Sequence, residues 1–466
     1  MEIPNDILLL QDLVVKLLSR LDDLEAENLA LKLENADLRS RLSQNSTNSH
    51  KPPSSDGLSK KPAFPQTSGK KSGGQPGHQG KTLTMVSNPD QIIVHHASFC
   101  PCCSKVFTST DVELIGSKRQ VFDIPPPRIE VTEHQIGIIT CCNQQHKGIF
   151  PDLVSQPVQY GTKIKAISVL LNVDYKIPFE KVEQLMYDLY NCSFNESTAI
   201  SANLTCFNAL ASTEESIKTE ILQAESTHFD ETGMRVEGKL HWFHTASTSL
   251  FTYLFVHTHR GKKALQSAES LIKDFKNWAI HDCWASYFDF KDCSHALCNA
   301  HILRELEGLK ENGSIWVVEM KQLLLDLFEL SQKATLIVPD KDLWLQKYLA
   351  ICQKADKEEP PPIYGKRGRP TNSKGRNLLN RLIEHQNGIL AFAFNQGIPF
   401  TNNQAERDIR CLKTKQKVAT SFRTFKGAQQ YARIQSFVST LRKHDMNVFQ
   451  NLTNILNQKP ISFYQG

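Results

Sequence analysis

The sequence predicts a multidomain protein of the α/β class. Three observations support this prediction. The length of 466 residues allows two or three separate cores, a leucine heptad opens the chain, and β-forming residues around Trp242 indicate paired strands between long helical stretches. In chain order we expect a coiled coil, a basic linker, a small metal-binding β module, a helical domain, and an α/β domain with a helical insertion.

Residues 1–44 are predicted to form a leucine-zipper coiled coil. Charged residues flank the apolar seam, so that Arg20 would face Glu25 across a parallel homodimer. We therefore expect a homodimer, and the alternative is one amphipathic helix that packs on its own chain. The seam consists of Ile3, Leu10, Leu17, Leu24, Leu31 and Leu38 on one side, with Ile7, Val14, Leu21, Asn28, Asn35 and Leu42 on the other.

Residues 45–90 are rich in Asn, Ser, Pro, Gly and Lys and contain almost nothing that a core would bury. This composition predicts a flexible or extended basic segment. Its charge suits a phosphate backbone, and an ordinary solvated linker is the alternative.

Residues 91–155 are predicted to form a small β module that binds a structural Zn²⁺ ion. Cys100 and Cys103 have the spacing of a zinc knuckle, and Cys141, Cys142 and His146 cluster about forty residues later. We expect the ligands to be Cys100, Cys103, Cys142 and His146, with the last two left open by their irregular spacing. Buried reduced cysteines are the alternative.

Residues 156–225 are helical by pattern, because their apolar residues share one face. Two helices joined by a turn at residues 191–195 resemble a helix–turn–helix, which is a DNA-binding arrangement. The second helix carries no Lys or Arg, so packing of this helix in a core is the better interpretation.

Residues 226–446 are predicted to contain an α/β domain with three acidic residues that suit metal ions. Asp230 starts the first of two strands joined by a turn at Glu237-Gly238-Lys239, and Asp282 ends a short apolar run. Glu406 falls in the first turns of a helix that Asn402 or Asn403 caps. Three such acids can hold two Mg²⁺ (or Mn²⁺) ions for phosphoryl transfer. Taken alone, Asp230 would more simply cap a turn.

A helical insertion is expected from about residue 303 to 398, between the second and third acids. Just before it, Cys298 and His301 have the C-x-x-H spacing of a metal pair. Because no second pair stands nearby in the sequence, we expect His301 to lie beside the acidic site or in the core. Residues 447–466 are expected to form a C-terminal tail.

Basic residues cluster at two places in this domain. A segment of Arg-Gly-Arg-Pro type is narrow enough for the minor groove of DNA, and a basic surface loop is its alternative. The helix after Glu406 is also strongly basic, which is typical of a protein that processes a polyanion. The residues expected to bind double-stranded DNA are Lys366, Arg367 and Arg369 in the first cluster and Arg407, Arg410, Lys413 and Lys415 in the second.

Composition argues against a membrane or secreted protein. The chain has no apolar stretch near the roughly eighteen residues of a membrane span, and its start lacks the pattern of a secretion signal. Twelve cysteines without a secretory context indicate reduced thiols or metal ligands. A cytoplasmic protein is therefore expected, with a mild net charge of +5.

Taken together, the motifs resemble those of transposases of the bacterial insertion sequence 66 family. They run in order through nearly the whole chain as NSHKPPSSDG, GGQPGHQGKT, CPCC, HFDET, HDCWASY, CNAH, KRGRP and PFTNNQAERDIRCLKTKQKV. The resemblance implies a DDE-type transposase with an RNase H-like catalytic core, in which Asp230, Asp282 and Glu406 are the catalytic acids. It implies cleavage at each transposon end, then attack of the freed 3′-hydroxyl on target DNA.

Two other functions fit the same features: a non-catalytic DNA-binding regulator, and a metal-dependent nuclease that cuts without joining. The resemblance also implies accessory proteins of the same element as partners, and a nucleoid-associated location in the bacterial cytoplasm. One departure from the family pattern is Cys141-Cys142, which replaces a more regularly spaced pair.

Overall fold

The structure is a computed structural model that describes residues 7–43, 83–112, 117–333, 340–361 and 372–464. Most of the predicted linker, at residues 44–82, lies outside these ranges. Within them, no helix combines the length and the apolarity that crossing a membrane requires.

A single helix, α1 (Ile7–Ser43), covers the predicted coiled coil. In the single chain its described seam residues are exposed, and Leu17, Leu24 and Leu38 keep about half of their surface open to solvent. The helix is therefore as predicted, and its pairing with a second copy stays a prediction.

The cysteine module contains one antiparallel hairpin, formed by β1 (Ile138–Cys141) and β2 (Gln144–Lys147). Cys142 and Asn143 make its two-residue turn with φ values of 53° and 59°. Positive φ at both positions is the backbone twist that tight hairpins prefer. At the other end of the module, an isolated bridge between Phe99 and Val106 brackets the first cysteines.

The predicted helical domain is built from four helices and one π-helical turn. Asn195 begins the fourth helix of the chain, because its side chain accepts the N–H of Thr198 at 2.9 Å. That helix buries Ala199, Ala202 and Cys206, so the second helix of the helix–turn–helix-like pair packs in the core, which is the interpretation that its lack of basic residues favoured. The elements are α2 (Thr162–Val169), the π turn (Leu170–Asp174), α3 (Phe179–Tyr190), α4 (Glu196–Ala209) and α5 (Ala211–Gln223).

A six-stranded mixed sheet follows. Its strands are β3 (Ser226–Val236), β4 (Lys239–Ser247), β5 (Thr252–His257), β6 (Trp278–His281), β7 (Ser294–Leu297) and β8 (Ser421–Phe422). The order is β5-β4-β3-β6-β7. The β5-β4-β3 part is antiparallel, the β3-β6-β7 part is parallel, and short β8 pairs with the far end of β3. The predicted hairpin is confirmed, and Glu237 and Gly238 form its turn with positive φ.

The segment of the predicted insertion is helical in the structure and begins at Asn299, earlier than the expected start near residue 303. It has its own core, in which Trp316, Leu324, Tyr348 and Leu379 are almost completely buried. After a short α6 (Lys262–Leu265) between β5 and β6, its helices are α7 (Asn299–Glu311), α8 (Trp316–Lys333), α9 (Lys341–Glu358), α10 (Lys374–Glu384), α11 (Gln386–Ile389) and α12 (Ala391–Phe394).

Three helices follow the insertion: α13 (Asn403–Ala419), α14 (Phe425–Lys443) and α15 (Val448–Leu456). The expectation of a C-terminal tail is wrong for α15, because Leu452 and Ile455 lie on one helical face and are buried. They belong to the same core as Phe243 of β4 and Cys206 of α4. The helical segment and the sheet therefore share one core, and the predicted boundary at residue 226 does not separate two cores.

Candidate active site

The register of the sheet brings the first two predicted acids to one place. The last parallel pair between β3 and β6 is His228 with Ile280. Asp230 follows that pair by two positions within β3, and Asp282 follows it by two positions, one residue after β6 ends at His281, so the two acids stand at matching positions. Such positions lie on the same face, and neighbouring strands are about 4.8 Å apart. Asp230 lies inside β3, where it pairs with Thr245, and not at the start of the strand as predicted.

Asn402 connects the third acid to these strands. Its side chain donates to the Phe229 carbonyl and accepts from His228 Nδ1, both at 2.8 Å. Its own carbonyl accepts the N–H of Glu406 at 3.3 Å, in the first turn of α13. Asn402 holds the predicted N-cap position, yet its side chain binds β3 and leaves the helix uncapped. The start of α13 is thereby fixed beside Asp230.

The acids form one electrostatic unit. Burial raises the pKa of Asp230 well above its usual range, and the neighbouring charges of Glu231, Asp282 and Glu406 raise it further. Glu406 Oε1 is buried and makes no hydrogen bond. Half-buried carboxylates that lie close together favour a bound cation, and hard divalent cations take carboxylate oxygens. The donor set therefore fits Mg²⁺.

A fourth acid, Glu231, lies in the same unit and was missed by the sequence analysis. Its side chain is only 2% exposed and binds the Arg260 guanidinium at 2.7 Å. Tyr287 donates to its other oxygen at 2.6 Å. Burial, together with the charge of Asp282, raises the pKa of Glu231, and its two partners oppose that shift. Its partners are distant in sequence, so the position beside Asp230 was the only local signal.

The Arg260 guanidinium contacts two indole rings. It is 4.9 Å from the centre of the Trp242 ring and 4.4 Å from that of Trp284. The backbone N–H of Trp284 also donates to Asp282 at 3.0 Å. Cation–π contacts with both rings hold Arg260 in place. The ion pair with Glu231 thus supports the loop that carries Asp282.

His301 lies beside the acids, as one of the two predictions for it stated. Its Nε2 is 3.5 Å from Glu406 Oε1. Cys298 is buried and its sulfur accepts the N–H of Asn402 at 3.1 Å. Burial raises the pKa of this thiol to about 11. Cysteine, histidine and glutamate each have one ligand atom within 4.8 Å of the other two.

The basic face of α13 is partly as predicted. Arg407, Arg410 and Lys413 are exposed, whereas Lys415 is only 7% exposed. The prediction that Lys415 binds DNA is wrong, because its ammonium group points inward to the Asn172 carbonyl at 3.4 Å. Burial lowers its pKa to about 8. The other predicted cluster, Lys366, Arg367 and Arg369, lies outside the described residues.

The cysteine module brings its predicted zinc ligands together only in part. Backbone N–H groups of Cys103 and Cys102 lower the pKa of Cys100, as at a metal-bound thiolate. The sulfurs of Cys141 and Cys142 are 3.6 Å apart, close to the roughly 3.8 Å between two thiolates on tetrahedral zinc. In the described chain, no three ligand atoms of the predicted set, which included His146, lie within 4.8 Å of one another.

Comparison with protein families accounts for most of the chain. Residues 157–430, more than half of the sequence, match a family described as Transposase IS66 family. Residues 98–143 match the zinc-finger binding domain of transposase IS66, which supports a zinc ion in this module and includes Cys141 but not His146. Residues 7–84 match a family of unknown function. No curated protein matches the chain.

Proposed function

Since the chain belongs to the IS66 transposase family, we propose that it is a DDE-type enzyme that cleaves transposon ends and joins them to target DNA. The observation that carries this proposal is the meeting of Asp230, Asp282 and Glu406, in which the charges of the other two acids, together with that of Glu231, raise the pKa of half-buried Asp230. A mixed sheet that delivers acids from adjacent parallel strands is what an RNase H-like core requires, and this supports that fold assignment.

In the proposed mechanism, Asp230 and Asp282 would hold the metal ions, and Glu406 would complete the second metal site. Two bound Mg²⁺ ions would stabilise the entering and leaving oxygens of an in-line phosphoryl displacement. Arg407, Arg410 and Lys413 bind phosphates and position the strand, since phosphoryl transfer depends mainly on placement and charge neutralisation.

Glu231 has a positioning role in this proposal. Arg260 and Tyr287 already bind both of its carboxylate oxygens. These bonds connect Glu231 to the segment after β6, so that the backbone of Asp282 stays beside Asp230. Glu231 therefore acts through Asp282 and leaves metal binding to the other three acids.

Three further assignments belong to the proposal. The zinc ligands are Cys100, Cys103, Cys141 and Cys142, since the second sulfur pair has zinc-like spacing and lies within the matched zinc-finger range. The exposed seam of α1 pairs two copies, one for each transposon end. The protein acts on the DNA of the bacterial cytoplasm, with accessory proteins of the same element as candidate partners.

The test separates DNA binding from cleavage with Asp230→Asn. We expect this variant to bind a DNA fragment with the terminal repeats as the wild type does, and to lose Mg²⁺-dependent cleavage. The matched control is Asp274→Asn, because Asp274 is 62% exposed and has no role in the site. Full cleavage by Asp230→Asn would overturn the proposed role, and loss of DNA binding would make Asp230 a structural residue.

A further inference from the structure

The proposed reaction leaves two side chains at the site unused. Cys298 is the single residue between β7 and α7, and His301 lies in the first turn of α7, so the C-x-x-H segment brings sulfur and imidazole close to Glu406. Neither thiol nor imidazole is a ligand that Mg²⁺ prefers, since that ion takes oxygen donors in octahedral geometry. Their chemistry is that of a softer metal.

We propose that Cys298, His301 and Glu406 form a binding site for Zn²⁺, separate from the zinc module. Tetrahedral zinc takes sulfur at about 2.3 Å and nitrogen or carboxylate oxygen at about 2.0–2.2 Å, which places the ligand atoms about 3.3–3.8 Å apart. The observed 3.5 Å between His301 Nε2 and Glu406 Oε1 already has this spacing. The Cys298 sulfur lies within 4.8 Å of both of these atoms.

The surroundings of the three ligands suit a metal-bound thiolate. The Cys298 sulfur accepts the N–H of Asn402 at 3.1 Å, and outer hydrogen bonds of this kind orient metal ligands. Glu406 Oε1 is buried and makes no hydrogen bond, so it is available to a cation. Three protein ligands leave the fourth position of a tetrahedral ion open to water or to a phosphate oxygen.

The zinc site and the proposed Mg²⁺ site would share Glu406, so the two metals would compete. A carboxylate oxygen that binds Zn²⁺ together with Cys298 and His301 cannot at the same time complete a Mg²⁺ site with Asp230 and Asp282. Zinc would therefore inhibit Mg²⁺-dependent cleavage, and Mg²⁺ would compete with it. The zinc site itself stands on its three side chains, and this competition rests on the proposed function.

The first test counts zinc ions bound by the full chain. Zn²⁺ is titrated into purified protein against a chromophoric chelator, and we expect wild type to bind one tight equivalent more than Cys298→Ser. His301→Asn should weaken that equivalent by at least about 100-fold, since loss of even an outer partner costs 10–100-fold. Cys293→Ser is the matched control. Cys293 is also buried, and its sulfur lies 4.0 Å from His295 Nε2, but it belongs to no group of three ligands in the described chain.

Cadmium gives a second readout that does not depend on activity. Cd²⁺ should give the wild type a thiolate charge-transfer absorption. The intensity should fall by the contribution of one cysteine in Cys298→Ser and should be unchanged in Cys293→Ser. Equal zinc counts in wild type, Cys298→Ser and His301→Asn would overturn the site, provided that thermal unfolding shows the variants to be folded.

A third experiment measures inhibition of Mg²⁺-dependent cleavage by Zn²⁺, independently of the zinc counts. Relative to each protein's own zinc-free rate, the Zn²⁺ concentration for half-inhibition should rise at least about tenfold in Cys298→Ser, following the loss of one ligand. An extra zinc equivalent without inhibition would retain the site and overturn the competition with Mg²⁺. Absence of cleavage in every variant would count against the proposed function, and the zinc counts would still decide the site.

Discussion

A buried ion pair is predicted to fix the helix that carries Glu406. Lys443 on α14 donates to Asp408 on α13 at 2.7 Å, and the two side chains are only 11% and 10% exposed. Lys443 also donates to the carbonyls of Thr248 and Phe251, at 2.7 and 2.9 Å. The pair thus ties α13, two residues after Glu406, to the loop between β4 and β5.

The perturbation is Lys443→Met, which keeps much of the side-chain volume and removes the charge. Leaving a buried carboxylate without its cation costs about 3–5 kcal/mol. Asp408 keeps hydrogen bonds from Ser247, Thr252 and Gln404, so we expect the lower end, about 3 kcal/mol. The control is Lys354→Met, because the Lys354–Glu319 pair is 61% and 49% exposed and such pairs contribute at most about 1 kcal/mol.

The assay is urea unfolding at neutral pH, followed by tryptophan fluorescence. All five tryptophans lie between residues 242 and 344, so the signal reports on the sheet and its insertion. We expect the free energy of unfolding to fall by about 2 kcal/mol more in Lys443→Met than in Lys354→Met. Equal losses in the two variants would refute the anchoring role of the ion pair.

Three other predictions concern Asp230, His244 and the basic face of α13. In the absence of divalent metal, Asp230→Asn should raise the free energy of unfolding by about 1–2 kcal/mol, measured in urea, because it removes a buried charge among like charges; a less stable variant would contradict this. Burial lowers the pKa of His244 to about 4, so its stabilising contribution is present above pH 6.5. That contribution, about 3 kcal/mol, is lost as the pH falls towards 4. His244→Phe should flatten that part of the stability–pH curve, and an unchanged slope would contradict this role of His244. Arg410→Ala should lower the salt dependence of DNA binding by about one unit of log–log slope, whereas Lys415→Met should leave it unchanged; equal effects would mean that Lys415 reaches the DNA.

The sequence predicted local features better than long-range ones. The hairpin around Glu237-Gly238 depends on residues that are neighbours in the chain, so turn signals were sufficient. The helix start before Glu406 was placed correctly, although the Asn402 side chain binds β3 and does not cap the helix. Asp230 and Asp282 were predicted as metal-binding acids, and the meeting of these acids follows from the register of β3 with β6.

Contacts between distant residues explain what was missed. The role of Glu231 depends on its bonds with Arg260 and Tyr287, which lie 29 and 56 residues away in the sequence. Lys415 was taken for a DNA contact because a run of basic residues does not show which side of α13 packs inward. The tail prediction failed for α15 because the core that buries Leu452 is supplied by α2, α4 and the sheet.

The most direct test of the central claim is Mg²⁺-dependent cleavage and strand transfer by the purified protein. The substrate is a DNA fragment that carries the terminal repeats of the element, and wild type is compared with Glu406→Gln. We predict cleaved and joined products for wild type and neither product for Glu406→Gln. Equal cleavage by both proteins, or DNA binding without any cleavage in Mg²⁺ or Mn²⁺, would contradict the proposed three-acid transposase site.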